Sequence, residues 1–205
     1  SMHIQHNLNS SKTKQNLFCD EDGNNSKTFL NFIGGLQTYL PDAMLFFAPY
    51  VNSYRRFVID ASAPINTHWG IENRTTAFRV IKGDSTSQRI ENRLPGADSN
   101  PYLALAATLG AGFLGIQEKI DPTKETLGGA YDLRLERKYQ VPSNLGEAAN
   151  LFKNSESAKN LFGETFVKHF ANTRIWEFKE FQKNKNFFDS DQISLWELDR
   201  YFEII

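Results

Sequence analysis

The sequence predicts an α+β fold, with a short antiparallel strand pair in its first half and helices in its second. Two observations carry this. Period-two alternation occurs twice in close succession, over Thr75–Ile81 and Ser87–Leu94. After Asn100, apolar residues recur at helical spacing instead. The chain of 205 residues suits one domain or at most two small ones. Hydrophobic residues make up 40%, with 17 Phe and 3 Trp, which is enough for a core and excludes wholesale disorder.

The elements follow in order. Asn and Lys cluster in residues 7–27, where Ser10–Lys12 and Asp20–Asn25 predict loops or turns. Ser26 is a suitable N-cap for a helix on which Phe29, Phe32, Ile33, Leu36 and Leu40 share a face, with Pro41 as the stop. Gly34 and Gly35 lie inside it, at a cost of about 1 kcal/mol each relative to Ala, so a neighbour packed against the backbone is expected. On the strand Thr75–Ile81, Phe78 and Val80 face one way and Arg79 the other. On Ser87–Leu94, the residues Arg89, Glu91 and Arg93 share a face, and Lys82–Ser85 is the turn between the strands. Asn100 followed by Pro101 predicts a helix start, with small residues along the helix to about Ile120. A polar loop is expected from Asp121 to Asn144. Helices are expected over about Leu145–Lys153, Ser155–Lys185 and Gln192–Phe202, with Phe162, Phe166, Phe170, Trp176 and Phe181 as core anchors.

Composition excludes several functions. Lys+Arg 23 against Asp+Glu 24 leaves a net charge of −1, which argues against a nucleic-acid partner. The single Cys19 excludes an internal disulfide and a zinc site built on thiolates. The opening residues lack a charged and apolar leader, and the longest apolar stretch, Pro101–Ile116, falls short of the roughly 20 residues a membrane span needs. A cytoplasmic protein without a membrane partner is the expectation.

Arginine placement carries the chemistry. Six of the ten arginines (Arg55, Arg56, Arg74, Arg79, Arg89 and Arg93) fall between residues 55 and 93, with Lys82 as the one lysine among them. Arginine is favoured where a planar fork must grip carboxylate or phosphate oxygens. Converging on one pocket, these groups would suit a phosphorylated or dicarboxylate ligand, and Glu91 among them should stay ionised and able to meet a divalent cation. The same Arg-Glu-Arg pattern also describes a cross-strand ion-pair ladder on a wet sheet face. His68 and His169 read as structural, and His3 and His6, near the chain start, as surface residues. Phosphate-loop glycine motifs and a Ser or Cys nucleophile signature are lacking.

These same residues resemble the catalytic domain of the glutamine synthetase family: Asn52-Ser53-Tyr54-Arg55-Arg56, Ala63-Pro64, Trp69-Gly70, Asn73-Arg74-Thr75 and Arg79-Val80, in that order, then RIENRLPGADSNPYLA over Arg89–Ala104. Phe32-Ile33-Gly34-Gly35-Leu36 and Trp196-Glu197-Leu198-Asp199-Arg200-Tyr201 are similar too, so the resemblance covers nearly the whole chain. It is nearest to the γ-glutamylpolyamine (γ-glutamylputrescine) synthetase branch, also through FLNFIGGLQTYLPDA over Phe29–Ala43.

The resemblance implies an ATP-dependent ligase that uses Mg or Mn, phosphorylates the γ-carboxylate of glutamate and passes the acyl group to an amine. It implies His3 and Glu91 at metal, and Arg56, Arg74 and Arg93 at glutamate. Arg74 would also be the catalytic contact to the transferring phosphate, and Gln5, Asn7, Arg74, Arg79 and Arg89 would lie around ATP. It further implies a homo-oligomeric ring of six subunits, often stacked in pairs, and Tyr131 near a loop that is adenylylated in some bacterial members. From the residues alone, Tyr131 reads as an exposed loop tyrosine.

Three departures qualify these expectations. Ser62 stands where ammonia-using members carry a glutamate, which predicts a bulkier amine or weakened catalysis. Gln5 and Asn7 replace a histidine and a serine near ATP, with His6 out of register by one. The chain corresponds to the C-terminal part of the catalytic domain, residues 1–205, without the N-terminal β-grasp domain, so it is expected to be inactive alone. An ammonia-using enzyme and a catalytically silent assembly protein are the alternatives.

Overall fold

The computed structural model describes residues 1–59, 61–133, 136–184 and 192–203. Among these residues a four-stranded sheet lies beside six helices. Strands β1 (Ile4–His6), β2 (Trp69–Ile71), β3 (Phe78–Ile81) and β4 (Arg89–Asn92) take the spatial order β1-β4-β3-β2. β4 is antiparallel to both β1 and β3, and β2 is parallel to β3. The expected antiparallel pair is therefore present, and two three-residue strands extend it. Segments that short show too little alternation to be read from sequence.

Both expected strands are shorter than their alternation suggested, because side chains replace the ladder at their ends. The Asn73 side-chain oxygen accepts from the Thr75 N–H at 3.0 Å and the Thr75 hydroxyl at 2.6 Å, so the chain turns before β3. The Asp84 carboxylate likewise accepts from the N–H groups of Thr86 and Ser87 at 3.0 and 2.9 Å, making the turn into β4.

Register assigns the two faces of the sheet. Gln5 pairs with Glu91, and Glu91 with Arg79. That row forms one face. The other carries Phe78, Val80 and Ile90, all fully buried. His6 pairs with Ile90 and so lies on the core face, against Phe18 and Phe32 at ring separations of 6.5 and 5.4 Å. It is not the surface histidine its place near the chain start suggested.

Helices α1 (Lys27–Tyr39) and α2 (Pro101–Glu118) begin at the expected caps. The Ser26 hydroxyl accepts from Phe29 N–H at 3.0 Å, and the Asn100 side chain accepts from the N–H groups of Tyr102 and Leu103 at 3.0 and 3.3 Å. The glycines mark a crossing of backbone on backbone. A Cβ on Gly35 would lie 2.2 Å from the Ala111 carbonyl oxygen, and one on Gly34 would lie 2.3 Å from that of Ile120.

Four helices complete the chain: α3 (Leu145–Asn154), α4 (Glu156–Phe162), α5 (Glu164–Lys183) and α6 (Leu195–Tyr201). The single helix expected over Ser155–Lys185 is two, broken at Gly163, whose φ of +84° suits glycine; Lys185 itself lies outside the described residues. The loop after α2 contains a 3-10 turn, Arg137–Tyr139. Phe46, Phe152, Phe162 and Phe170 form an aromatic cluster. Trp176, expected in the core, is 55% exposed.

Candidate active site

On the sheet face away from the core is a cleft of about 490 Å³. His3, just before β1, Arg79 on β3, and Glu91 and Arg93 on and after β4 line its floor. Ser62, Arg74, Thr75 and Tyr131 come from loops around it. Strand pairing assembles the floor, because Arg79 and Glu91 are register partners.

Glu91 is the centre of this arrangement and is 4% exposed. One carboxylate oxygen meets His3 Nδ1 at 3.1 Å, and the other accepts from Arg79 Nη1 at 3.3 Å and Arg93 Nη1 at 3.4 Å. Burial alone would raise its pKa. His3, Arg79 and Arg93 outweigh that and hold the carboxyl below its ordinary value. Burial, then the Arg93 charge, lowers the pKa of His3, against the opposing pull of Glu91. At neutral pH the pair is thus a neutral imidazole beside a carboxylate. The ion-pair ladder and the ligand pocket considered from the sequence coincide, except that the ladder is buried rather than wet.

The arginines divide by location. Arg79 is tied to Glu72 as well as Glu91, and Glu72 reaches it from a turn with φ of +50°. Arg93 also donates to the Ser62 carbonyl at 3.1 Å. Arg74 is exposed at the cleft, with no hydrogen bond or ion pair among the described residues.

Arg89 donates through Nε to Gln5 at 2.7 Å; both lie on the same sheet face but outside the cleft lining. Asn7 is just past β1, half-buried and also outside that lining. Arg56 does not line the cleft. Its Nη2 donates to the Leu94 carbonyl, its guanidinium lies 4.1 Å over the Phe57 ring, and its buried Nε and Nη1 have no hydrogen-bond partner among the described residues. Burial pushes its pKa down to about 10. Arg55 turns away altogether. Its Nε and Nη2 grip the two Glu197 oxygens on α6, each at 2.7 Å, so not all six guanidinium groups converge.

Sequence reasoning missed Thr75 and Glu72 and put Tyr131 on an exposed loop, whereas Tyr131 is half-buried and lines the cleft. The spacing from Tyr131 to the arginines carries no local signal of this meeting. His68 fits its structural reading: it is 8% exposed, with Nδ1 3.4 Å from the Thr126 hydroxyl.

For a divalent metal ion the donors fit in part. His3 and Glu91 converge as a neutral nitrogen donor and an ionised oxygen donor, a set that suits Mn at least as well as Mg. Among the described residues no third His, Cys, Asp or Glu joins them. No helix among these residues is long and apolar enough to cross a membrane.

Comparison with known proteins identifies the family. Residues 1–201 match the glutamine synthetase catalytic domain. A type-1 glutamine synthetase 2 of Dictyostelium discoideum is 41% identical over all of this chain and 38% of its own length. A glutamate–isopropylamine ligase of Pseudomonas sp is 37% identical over 88% of this chain and 38% of its own length. A γ-glutamylethanolamide synthetase of Streptomyces coelicolor is 39% identical over 89% and 37%. The solved structure of GmaS without ligand superposes with a TM-score of 0.74 at 28% identity, covering 98% of this chain and 44% of that one. The chain thus spans less than half the length of these relatives. With that domain matched over residues 1–201, the chain belongs to the glutamine synthetase family.

Proposed function

We propose that the protein containing this chain is an ATP-dependent ligase that joins the γ-carboxyl group of glutamate to an organic amine, with putrescine-like amines among its substrates. The observation that carries this reading is the meeting of Arg74, Arg79 and Arg93 with the His3–Glu91 pair in one cleft. Relatives named for isopropylamine and ethanolamine products support an organic amine.

In the reaction, a γ-carboxylate oxygen of glutamate attacks the terminal phosphorus of ATP and ADP leaves. The amine nitrogen then attacks the acyl carbon, the C–O bond to phosphate breaks, and the nitrogen gives up a proton. Arg93 and Arg74 would hold the carboxylates of glutamate. Arg56, with two buried N–H groups to satisfy, would bind from beside the cleft. Arg74, as a cation without an internal partner, would neutralise charge on the transferring phosphoryl group. Arg79 is already oriented by two carboxylates and would face the nucleotide phosphates. Gln5 and Arg89 would hold the nucleotide further along the sheet, with Asn7 beside them. His3 and Glu91 would hold Mg or Mn, which when bound neutralises phosphate charge. A homo-oligomeric ring is part of the same proposal, as is the inactivity of the 205-residue chain alone.

The test uses the full-length enzyme with ATP, glutamate and a panel of putrescine, ethanolamine, isopropylamine and ammonia. Arg74→Ala should lower kcat by about 10²–10³, as removal of one such charge clamp does. Phosphate release that is independent of every amine refutes the ligase reading. Unchanged turnover in the variant removes Arg74 from the mechanism.

A further inference from the structure

Tyr131 is the one aromatic residue in the described lining of the cleft. The described lining otherwise consists of arginines, the His3–Glu91 pair, and the small side chains of Ser62 and Thr75. A phenol ring adds to these a broad, rigid apolar surface.

Its place is built by cross-chain hydrogen bonds. Ala130 is fully buried. Its N–H donates to the Thr75 hydroxyl at 2.9 Å, and its carbonyl accepts from Asn66 Nδ2 at 2.8 Å. Asn73 Nδ2 donates to the carbonyls of Thr126 and Gly128 at 3.2 and 2.8 Å. The segment before Tyr131 is thus pinned to the turn that carries Arg74.

The three reactants of the proposed ligase differ in what they need. Glutamate and the phosphoryl groups present anionic oxygens, which the arginines suit. With the nucleotide base placed by Gln5 and Arg89 outside this lining, the carbon substituent of the amine is the group at the reacting centre that most calls for an apolar wall. The cationic lining also disfavours an ammonium ion and favours the neutral amine, the nucleophilic form. We propose that Tyr131 is the wall against which this substituent lies, making it a specificity-determining residue for small primary alkylamines. The inference rests on the ligase reading and deepens it.

The experiment measures kcat/KM for ammonia, methylamine, isopropylamine and putrescine in full-length wild type, Tyr131→Ala and Tyr131→Phe, with glutamate KM alongside. Loss of apolar contact is worth about tenfold or more per substituent group. Tyr131→Ala should therefore lose about tenfold or more for isopropylamine and putrescine, less for methylamine and least for ammonia. Tyr131→Phe should restore the wild-type ranking, and glutamate KM should stay within about twofold. A uniform loss across all amines, or an unchanged ranking, overturns the role of Tyr131 while leaving the ligase reading intact. A wild type that forms no amide with any amine refutes the ligase reading and this inference with it.

Discussion

Replacing Gly35 with alanine sets two opposed effects against each other within α1. In an isolated helix, alanine is favoured over glycine by about 1 kcal/mol. In this fold the new methyl carbon would lie 2.2 Å from the Ala111 carbonyl oxygen and 2.7 Å from the Gly115 Cα. Those atoms are backbone in a second helix and cannot rotate away, so α1 and α2 must part. Overpacking costs about 1–3 kcal/mol where side chains can adjust, and a backbone collision belongs at or above the upper end. After the propensity gain, a net loss of about 2 kcal/mol or more is expected in urea or thermal unfolding. Gly115→Ala meets the same crossing from the other side, 2.2 Å from the Asn31 carbonyl oxygen, and should behave alike. The double variant should cost less than the sum, because helices parted once admit both methyls. Gly110→Ala is the control. Its neighbours are the Leu161 methyls at 3.1 Å, which can move, so propensity should leave it neutral or slightly stabilising. If Gly35→Ala is stabilised by about 1 kcal/mol, or matches Gly110→Ala, the close-packing argument is refuted.

Two other perturbations have defined signs. Glu197→Ala removes a carboxylate that is 2% exposed, grips Arg55 with both oxygens and closes the capping box with Ser194; a loss of about 3–5 kcal/mol is expected in chemical unfolding. Arg55→Met combined with Glu197→Leu should recover much of it, and a double variant no better than the single would count against the ion-pair account. His6 has both ring nitrogens buried, and burial, opposed by a backbone contact at Ile4, pushes its pKa down from 6.5 to about 4. The unfolded chain takes up this proton first, so the stability is complete above about pH 6.5 and is lost as pH falls toward 4, by about 3 kcal/mol. His6→Leu should flatten that part of the stability–pH curve, and an unchanged acid slope would exclude His6 as its source.

The features legible from sequence were those decided within a few residues. Ser26 and Asn100 cap helices because their side chains reach N–H groups two or three positions on. Alternation put Arg79 and Glu91 on the face opposite Phe78 and Ile90, and the pairing of the two strands brought that arginine and carboxylate together. The Gly34–Gly35 pair announced a close neighbour without saying which one. Gly163 broke an expected helix because its position permits a φ that no periodicity in the flanking apolar residues reveals.

By itself, then, the sequence determined the strand pair, the main helix starts and the family resemblance carried by its arginine motifs. Tertiary structure alone decided which arginines share a cleft: Arg55 is drawn off to Glu197, Arg56 is half-buried and bonded to the Leu94 carbonyl, and Arg74 is left facing the open space. It also brought Tyr131 into the cleft that Arg74 lines, beside the bond between Ala130 and Thr75. The physical reason is range. Caps and alternation are set by backbone geometry over a few residues, whereas these meetings join segments far apart in the chain and exist only once the core has closed around them.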